Sequence, residues 1–319
     1  MVLRLDFYLV PELNNMYIIE RTNLFIGIGI AIAVLSLAAI FIFKLPLGVD
    51  FTGGSILEIS YTETPPSAEE VSLAVSAAGF SDALIQRTGE SGYIIRTKEL
   101  DDTAHQALLS GLSFRGERTT IEERSNSIGP TIGAELRQKA WLAIGTVVLA
   151  IILFIAFAFR NVTNVMRAAG REGVSSWTFG FVAIAALAHD ILVPTGIFAI
   201  LGAEIDTLFV MALLAILGFS VNDTIVVFDR IRENIIHDGE EHTKKEFQTI
   251  VGESISQTIA RSINTSLTTL VVLGALFFIG GTATQYFALT LAIGVVAGTY
   301  SSICLASPLL VWIEKRRNG

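Results

Sequence analysis

The stretch LFIGIGIAIAVLSLAAIFIF, Leu24 to Phe43, carries no charged side chain over 20 consecutive positions. About 20 apolar residues are what a helix needs to cross the hydrocarbon core of a bilayer. Lipid cannot satisfy free backbone groups, so such a run is expected to close as a spanning helix. It is too long for the apolar region of a signal peptide and no small-residue cleavage site follows it, so it reads as a retained anchor. Residues 1–23 mix polar and apolar side chains and are expected to form a cytoplasmic N-terminus.

Five more apolar blocks follow, at 140–159, 177–201, 207–228, 258–279 and 287–312. The expected architecture is therefore a membrane all-α bundle of six transmembrane helices. The ten-residue alternation of a membrane β-barrel is not seen. Composition agrees. Of 319 residues, 52% are hydrophobic and 16% charged, against about 25% charged in an ordinary soluble domain. The net charge of −8, without a Lys/Arg stripe interleaved with aromatics, argues against nucleic acid as a partner. The one cysteine, Cys304, lies in an apolar run and reads as a small buried residue.

Lys and Arg in the short connections set the orientation. Arg160, Arg167 and Arg171 lie in the loop 160–176. Arg230, Arg232, Lys244 and Lys245 lie in the loop 229–257, and Lys315, Arg316 and Arg317 in the tail 313–319. The connections 202–206 and 280–286 carry none. Both termini are thus expected in the cytoplasm, and the segment 44–139 outside. That segment reads as a small folded domain. Ile56–Tyr61 suggests a strand, and Ser67 with Glu70 forms an S-x-x-E capping box before a helix at 71–79. Strands at 83–87 and 93–97 join through a turn with Gly89 and Gly92. Asp101 and Asp102 favour a helix over 103–112, and 119–123 suggests a last strand. The order βαββαβ is the split, ferredoxin-like pattern, a small α+β fold. The loop 229–257, with Ile231, Ile235 and Ile236 at helical spacing, reads as a solvated cytoplasmic helix.

Three ionisable residues fall inside or at the edge of apolar blocks: Asp190, Asp223 and Arg261. A charge at mid-membrane costs at least ~2.5–3.5 kcal/mol on insertion scales, so each must be paired, neutralised or hydrated. Carboxyls can gain and lose a proton and an arginine cannot, so two acids and a fixed cation are the parts of a proton pathway. Asp223 lies about 9 Å from the cytoplasmic end of its helix at 1.5 Å per residue, and Arg261 at similar depth. An Asp223–Arg261 contact with Asp190 further along is expected. A static salt bridge joining two helices is the other reading of the pair. His189 is either a second proton carrier or a packing residue. Asn222, Asn264 and Thr265, with Ser266, Thr268 and Thr269, could line a polar path or serve as interhelical hydrogen-bond glue. Pro194 can break the third span and free a carbonyl just beyond Asp190. Gly294 and Gly298 form a G-x-x-x-G that marks tight packing. The sequence G-V-D-F-T-G-G at Gly48–Gly54, with Asp50, Gly53 and Gly54, is either a hinge or a connecting turn.

No Walker A, H-E-x-x-H, paired C-x-x-C or G-x-S-x-G sequence occurs. No enzymatic activity, cofactor or metal is expected, and any energy used is read as an ion gradient. Four segments resemble the SecF family of protein-export membrane proteins: Gly48–Gly54, GFSVNDTIVVFDRIREN at Gly218–Asn234, ARSINTSLTT at Ala260–Thr269, and SIGP at Ser127–Pro130. The resemblance covers nearly the whole chain, including six helices around one large outer segment. It implies half of an RND-type transporter, with SecD as the other half. It further implies association with the SecYEG channel and YajC in a prokaryotic plasma membrane, where exported protein clients are moved with the proton-motive force. In that family the carboxylate of V-N-D and the arginine of R-S-I-N-T-S are tied to proton coupling, which here means Asp223 and Arg261. Asp190 is a third candidate. An exporter of lipids or small molecules and a non-transporting scaffold of a channel complex are the alternatives.

Overall fold

The computed structural model describes residues 16–160, 176–241 and 245–318. Arg167, Arg171 and Lys244 lie outside the described residues. The elements run in chain order as α1 (Met16–Glu20), α2 (Thr22–Phe43), α3 (Val49–Thr52), β1 (Gly54–Tyr61), α4 (Ala68–Ala77), β2 (Leu84–Thr88), β3 (Gly92–Thr97), α5 (Asp102–Leu112), β4 (Thr120–Ile128), α6 (Pro130–Ala158), α7 (Ser176–Leu201), α8 (Thr207–Glu241), α9 (Phe247–Ile279), α10 (Thr282–Tyr300), a π-helical segment Ser301–Ala306, and α11 (Ser307–Asn318). They form two compact units. One holds residues 47–143 with 204–207, the other the rest of the chain.

In the first unit the four strands make one sheet in the order β2-β3-β1-β4, with every pairing antiparallel. This is the order the split βαβ pattern requires. Leu57, Ile59 and Tyr61 of β1 and Tyr93 and Ile95 of β3 pack with Val71 and Val75 of α4 and Leu108 and Leu112 of α5. The two helices start where the sequence supplies acceptors for their first amides. Ser67 and Glu70 close a reciprocal capping box, and Asp101 accepts from Ala104 N at 2.7 Å. The buried tyrosines also find acceptors. Tyr61 donates to the Leu112 carbonyl at 2.9 Å, and burial pushes its hydroxyl up to about 12.

The G-V-D-F-T-G-G segment is packed closely rather than left as a free turn. Gly53 has φ +76°, and a Cβ there would sit 2.6 Å from Pro130 Cα. Gly54 has φ +128°, and its Cβ would lie 2.6 Å from the Thr97 carbonyl oxygen. Gly48 N donates to the Ile205 carbonyl at 2.9 Å. Asp50 is buried. Its Oδ2 accepts from Thr207 N at 3.0 Å, and its Oδ1 from Asn126 Nδ2 at 3.4 Å. Thr207 opens α8, so Asp50 satisfies an amide for which the helix has no acceptor of its own. Arg96 and Glu204 form an ion pair at 2.6 Å.

In the second unit, six helical segments among the described residues are long and apolar enough to span a membrane. A core of Ile155, Phe159, Phe179, Val227, Phe228, Ile231 and Ile255 includes a three-ring cluster. Phe159 and Phe179 stack at 5.5 Å, and both meet Phe228 edge-on. Small residues bring helices close. A Cβ on Gly196 would lie 2.6 Å from Ser36 Cα, and one on Gly294 would lie 2.2 Å from Ile216 Cδ1. The G-x-x-x-G thus seats α10 against α8.

Several boundaries differ from expectation. The helix that carries the second apolar block starts at Pro130, ahead of the block at 140, because Glu135, Arg137 and Lys139 are good helix formers that hydropathy does not register. Proline fits the first turn, where its missing N–H costs nothing. The fourth and fifth spans continue as helix into 229–257, through Glu241 and from Phe247. Pro194 does not break α7, which runs through it. The sixth apolar block is not one α-helix, since the π-helical turn interrupts it.

Candidate functional site

Among the described residues, the buried carboxyls and histidine of the membrane-spanning core sit on α7 and α8, and the hydroxyls that meet them on α8, α9 and the last span. Asp190 on α7 is fully buried. Its Oδ2 accepts hydrogen bonds from Ser220 on α8 and from Ser301 in the π-helical segment, the latter at 2.8 Å. Its Oδ1 lies 3.1 Å from His189 Nδ1, and His189 Nε2 is buried without a partner. Asp223 on α8 is also buried. Its Oδ1 accepts from Ser262 Oγ on α9 at 2.5 Å, and its Oδ2 is buried with no partner. Thr224 and Ser302 share a hydrogen bond at 2.8 Å.

The expected Asp223–Arg261 contact is not formed. Arg261 is exposed, and among the described residues its guanidinium has no acidic partner. The reason is helical geometry. Successive residues point about 100° apart at 3.6 per turn, and it is Ser262 that faces Asp223. Arg261, Asn264, Thr265 and Thr268 instead follow the i, i+3, i+4, i+7 spacing that places residues on one helix face, and all four are exposed. Thr268 satisfies its hydroxyl on the Thr265 carbonyl at 2.9 Å. Asn222 on α8 is exposed as well. The candidates thus divide. Asp190, Asp223 and His189 are interior, whereas Arg261, Asn222, Asn264 and Thr265 lie on the surface of this chain. Asp50, Gly53 and Gly54 belong to the sheet unit.

Sequence reading missed the hydroxyls that hold the acids: Ser220, Ser262, Ser301 and Ser302, with Thr224. Ser220 and Ser262 stand three residues before Asp223 and one after Arg261, inside stretches already singled out. No residue pattern announces the π-helical turn, although two adjacent serines in an apolar span were a signal. A carboxylate buried beside hydroxyls, with no lysine or arginine, is costly as a fixed anion. Hydroxyl donors favour the anion, and burial favours the neutral acid. Such a group can exist in either state within one architecture.

The chain matches the family model described as Protein export membrane protein SecD/SecF, C-terminal, over residues 113–169 and 174–316. It also matches the SecD/SecF GG Motif over residues 38–65. It is 38% identical over 302 residues to a protein translocase subunit SecF of Anaerolinea thermophila, covering 92% of this chain and 93% of that one. To a protein translocase subunit SecF of Thermobaculum terrenum it is 41% identical over 290 residues, covering 86% of each. The crystal structure of SecDF, a translocon-associated membrane protein from Thermus thermophilus, is similar with TM-score 0.78 and 31% identity over 93% of this chain. A super-membrane-facing form of SecDF is similar with TM-score 0.64 and 32% identity over 94%. The chain spans 38% and 39% of those two longer chains. With the GG motif at Gly53–Gly54 and the buried acids of α7 and α8 inside the matched regions, this chain belongs to the SecD/SecF family of protein-export membrane proteins.

Proposed function

We propose that this chain is the SecF-type half of a two-part export device that uses the proton-motive force to help move secreted proteins across the plasma membrane. The observation that carries the reading is Asp223, a buried carboxyl at membrane depth that has, among the described residues, one oxygen unpartnered and no cation beside it. A carboxyl so placed is a natural site for binding and releasing a proton. The exposed stripe of Arg261, Asn264 and Thr265 supports a second half. An arginine left facing lipid is costly, and a polar face on an adjacent bundle would cover it. SecD is that half, because the similar SecDF chains are more than twice as long and combine both names. Arg261 then supplies the fixed charge at the junction between halves, in place of the pairing expected within one chain. SecYEG, YajC and exported clients are the further partners. Both termini lie in the cytoplasm by the distribution of Lys and Arg, which puts the sheet unit outside.

The test uses membrane vesicles containing the assembled complex. Asp223→Asn and Arg261→Met are compared with wild type for export of a secreted protein, with and without a proton gradient. Normal assembly with loss of the gradient-stimulated part is expected. Wild-type stimulation in both variants refutes the coupling, and loss of complex abundance instead indicates a scaffold.

A further inference from the structure

Ser301 carries one hydroxyl proton and has two acceptors in reach. Asp190 Oδ2 lies at 2.8 Å and the Gly298 carbonyl at 3.1 Å. Asp190 Oδ2 in turn accepts from both Ser220 and Ser301. That fills the two lone-pair positions of a carboxylate oxygen. Oδ1 faces His189 Nδ1. With the proton on Nδ1, only a lone pair and not an N–H is left unsatisfied at the buried Nε2, and Oδ1 accepts one hydrogen bond with its second lone-pair position free. A proton arriving on Asp190 therefore goes to Oδ1, and Oδ2 becomes the carbonyl oxygen of a neutral acid, whose bonds from the two serines lose their charge assistance. Ser301 has its alternative acceptor at hand in Gly298, the residue whose lack of a Cβ lets α10 approach Ser220.

Ser301 is also the first residue of the π-helical turn Ser301–Ala306. The next residue, Ser302, bonds Thr224, the neighbour of Asp223. Ser307 Oγ donates to the Ser302 carbonyl at 3.1 Å, across five residues. Single π-helical turns inside α-helices are rare and concentrate at functional sites. Their alternative, regular α-helix, moves each following residue by about 100° around the axis.

We propose that Ser301–Ala306 is a two-register element through which the protonation of Asp190 is communicated to the neighbourhood of Asp223, with Ser301 and Ser302 as its positioning residues. Protonation of Asp190 weakens the bond from Ser301, whose proton turns to the Gly298 carbonyl, and frees the turn to change register. The register change carries Ser302 off Thr224. Loss of the proton restores the Ser301–Asp190 bond. No covalent bond other than the O–H of Asp190 is made or broken. The titratable groups facing this site are His189 on α7 and Asp223 on α8. In the last span they are Tyr300, whose ring lies 5.9 Å from that of His189, and Cys304.

The proposal rests on the proton-coupling reading of Asp223, and the test separates the two. In vesicles holding the full complex, Asp190→Asn, Ser301→Ala and the double variant are compared for gradient-stimulated export. Each is expected to lose about tenfold, the scale of one charge-assisted hydrogen bond, and the double no more than either alone. Infrared difference spectra of the same complex after a pH jump give a second readout. Ser301→Ala should shift the carboxyl band that Asp190→Asn abolishes. Wild-type export with an unshifted band in Ser301→Ala overturns the proposal, as do additive losses in the double variant. If Asp223→Asn loses stimulation while Asp190→Asn and Ser301→Ala retain it, the relay fails and the coupling at Asp223 stands. If Asp223→Asn itself keeps full stimulation, both fail.

Discussion

Asp190 and Asp223 stood out in the sequence because a carboxyl in an apolar run has to be accounted for. Their partners did not, because a serine between apolar residues is common in membrane helices and marks nothing by itself. The Arg261 side chain illustrates the limit of depth arguments. It lies at the expected level on α9, yet its neighbour Ser262 makes the contact with Asp223. Depth follows from counting residues, but facing depends on rotation, which a single stretch does not fix. The glycines of the GG motif are clearer once neighbours are known. A Cβ at Gly53 would enter the backbone of Pro130 at φ +76°, so Gly53→Ala combines overpacking with left-handed strain. It is expected to lower the stability of the chain in detergent by about 1–3 kcal/mol. Gly145, inside α6 with nothing within 4 Å, supplies the control: Gly145→Ala should hold or raise the thermal midpoint. Equal midpoints for both variants would show that the motif is looser than its geometry implies.

At the level of elements, the strands and helices of the sheet unit were legible because each announces itself locally, through alternation, capping residues and turn glycines. Membrane segments gave their existence but not their ends. Hydropathy registers apolar side chains, whereas α6 and α9 begin in a polar stretch and α8 ends in one. The π-helical turn has no periodic signature at all. Caps provide a test of how the helices of the sheet unit are held. Hydrogen bonds from Ala104 N and Thr103 hold the Asp101 carboxyl below the usual carboxylate range. A lowered value means that this contribution is complete above the ordinary carboxylate pKa and fades as pH falls through the folded-state value. Amide exchange at Ala104, corrected for its intrinsic rate, should therefore lose protection on acidification. Asp101→Asn keeps a cap that cannot titrate and should flatten that dependence. Identical pH profiles in the two proteins would rule the cap out as the cause.

At the scale of the whole molecule, the number of spanning helices and the single large segment between the first two were legible from composition alone. Runs of that length have few other solutions in lipid. What stayed hidden is that the polar face of α9 has no cover among the described residues. An arginine and an asparagine exposed on a spanning helix make sense for one half of a larger assembly. The family match and the 38% share of a longer SecDF chain point the same way. The device then consists of interior acids held by hydroxyls and a fixed cation at the edge. The most direct measurement is proton flux across proteoliposomes that contain this chain together with its SecD half, after an imposed pH difference. Wild type should conduct protons and Asp223→Asn should fall to the level of empty liposomes. Equal flux through the two proteins would contradict the account.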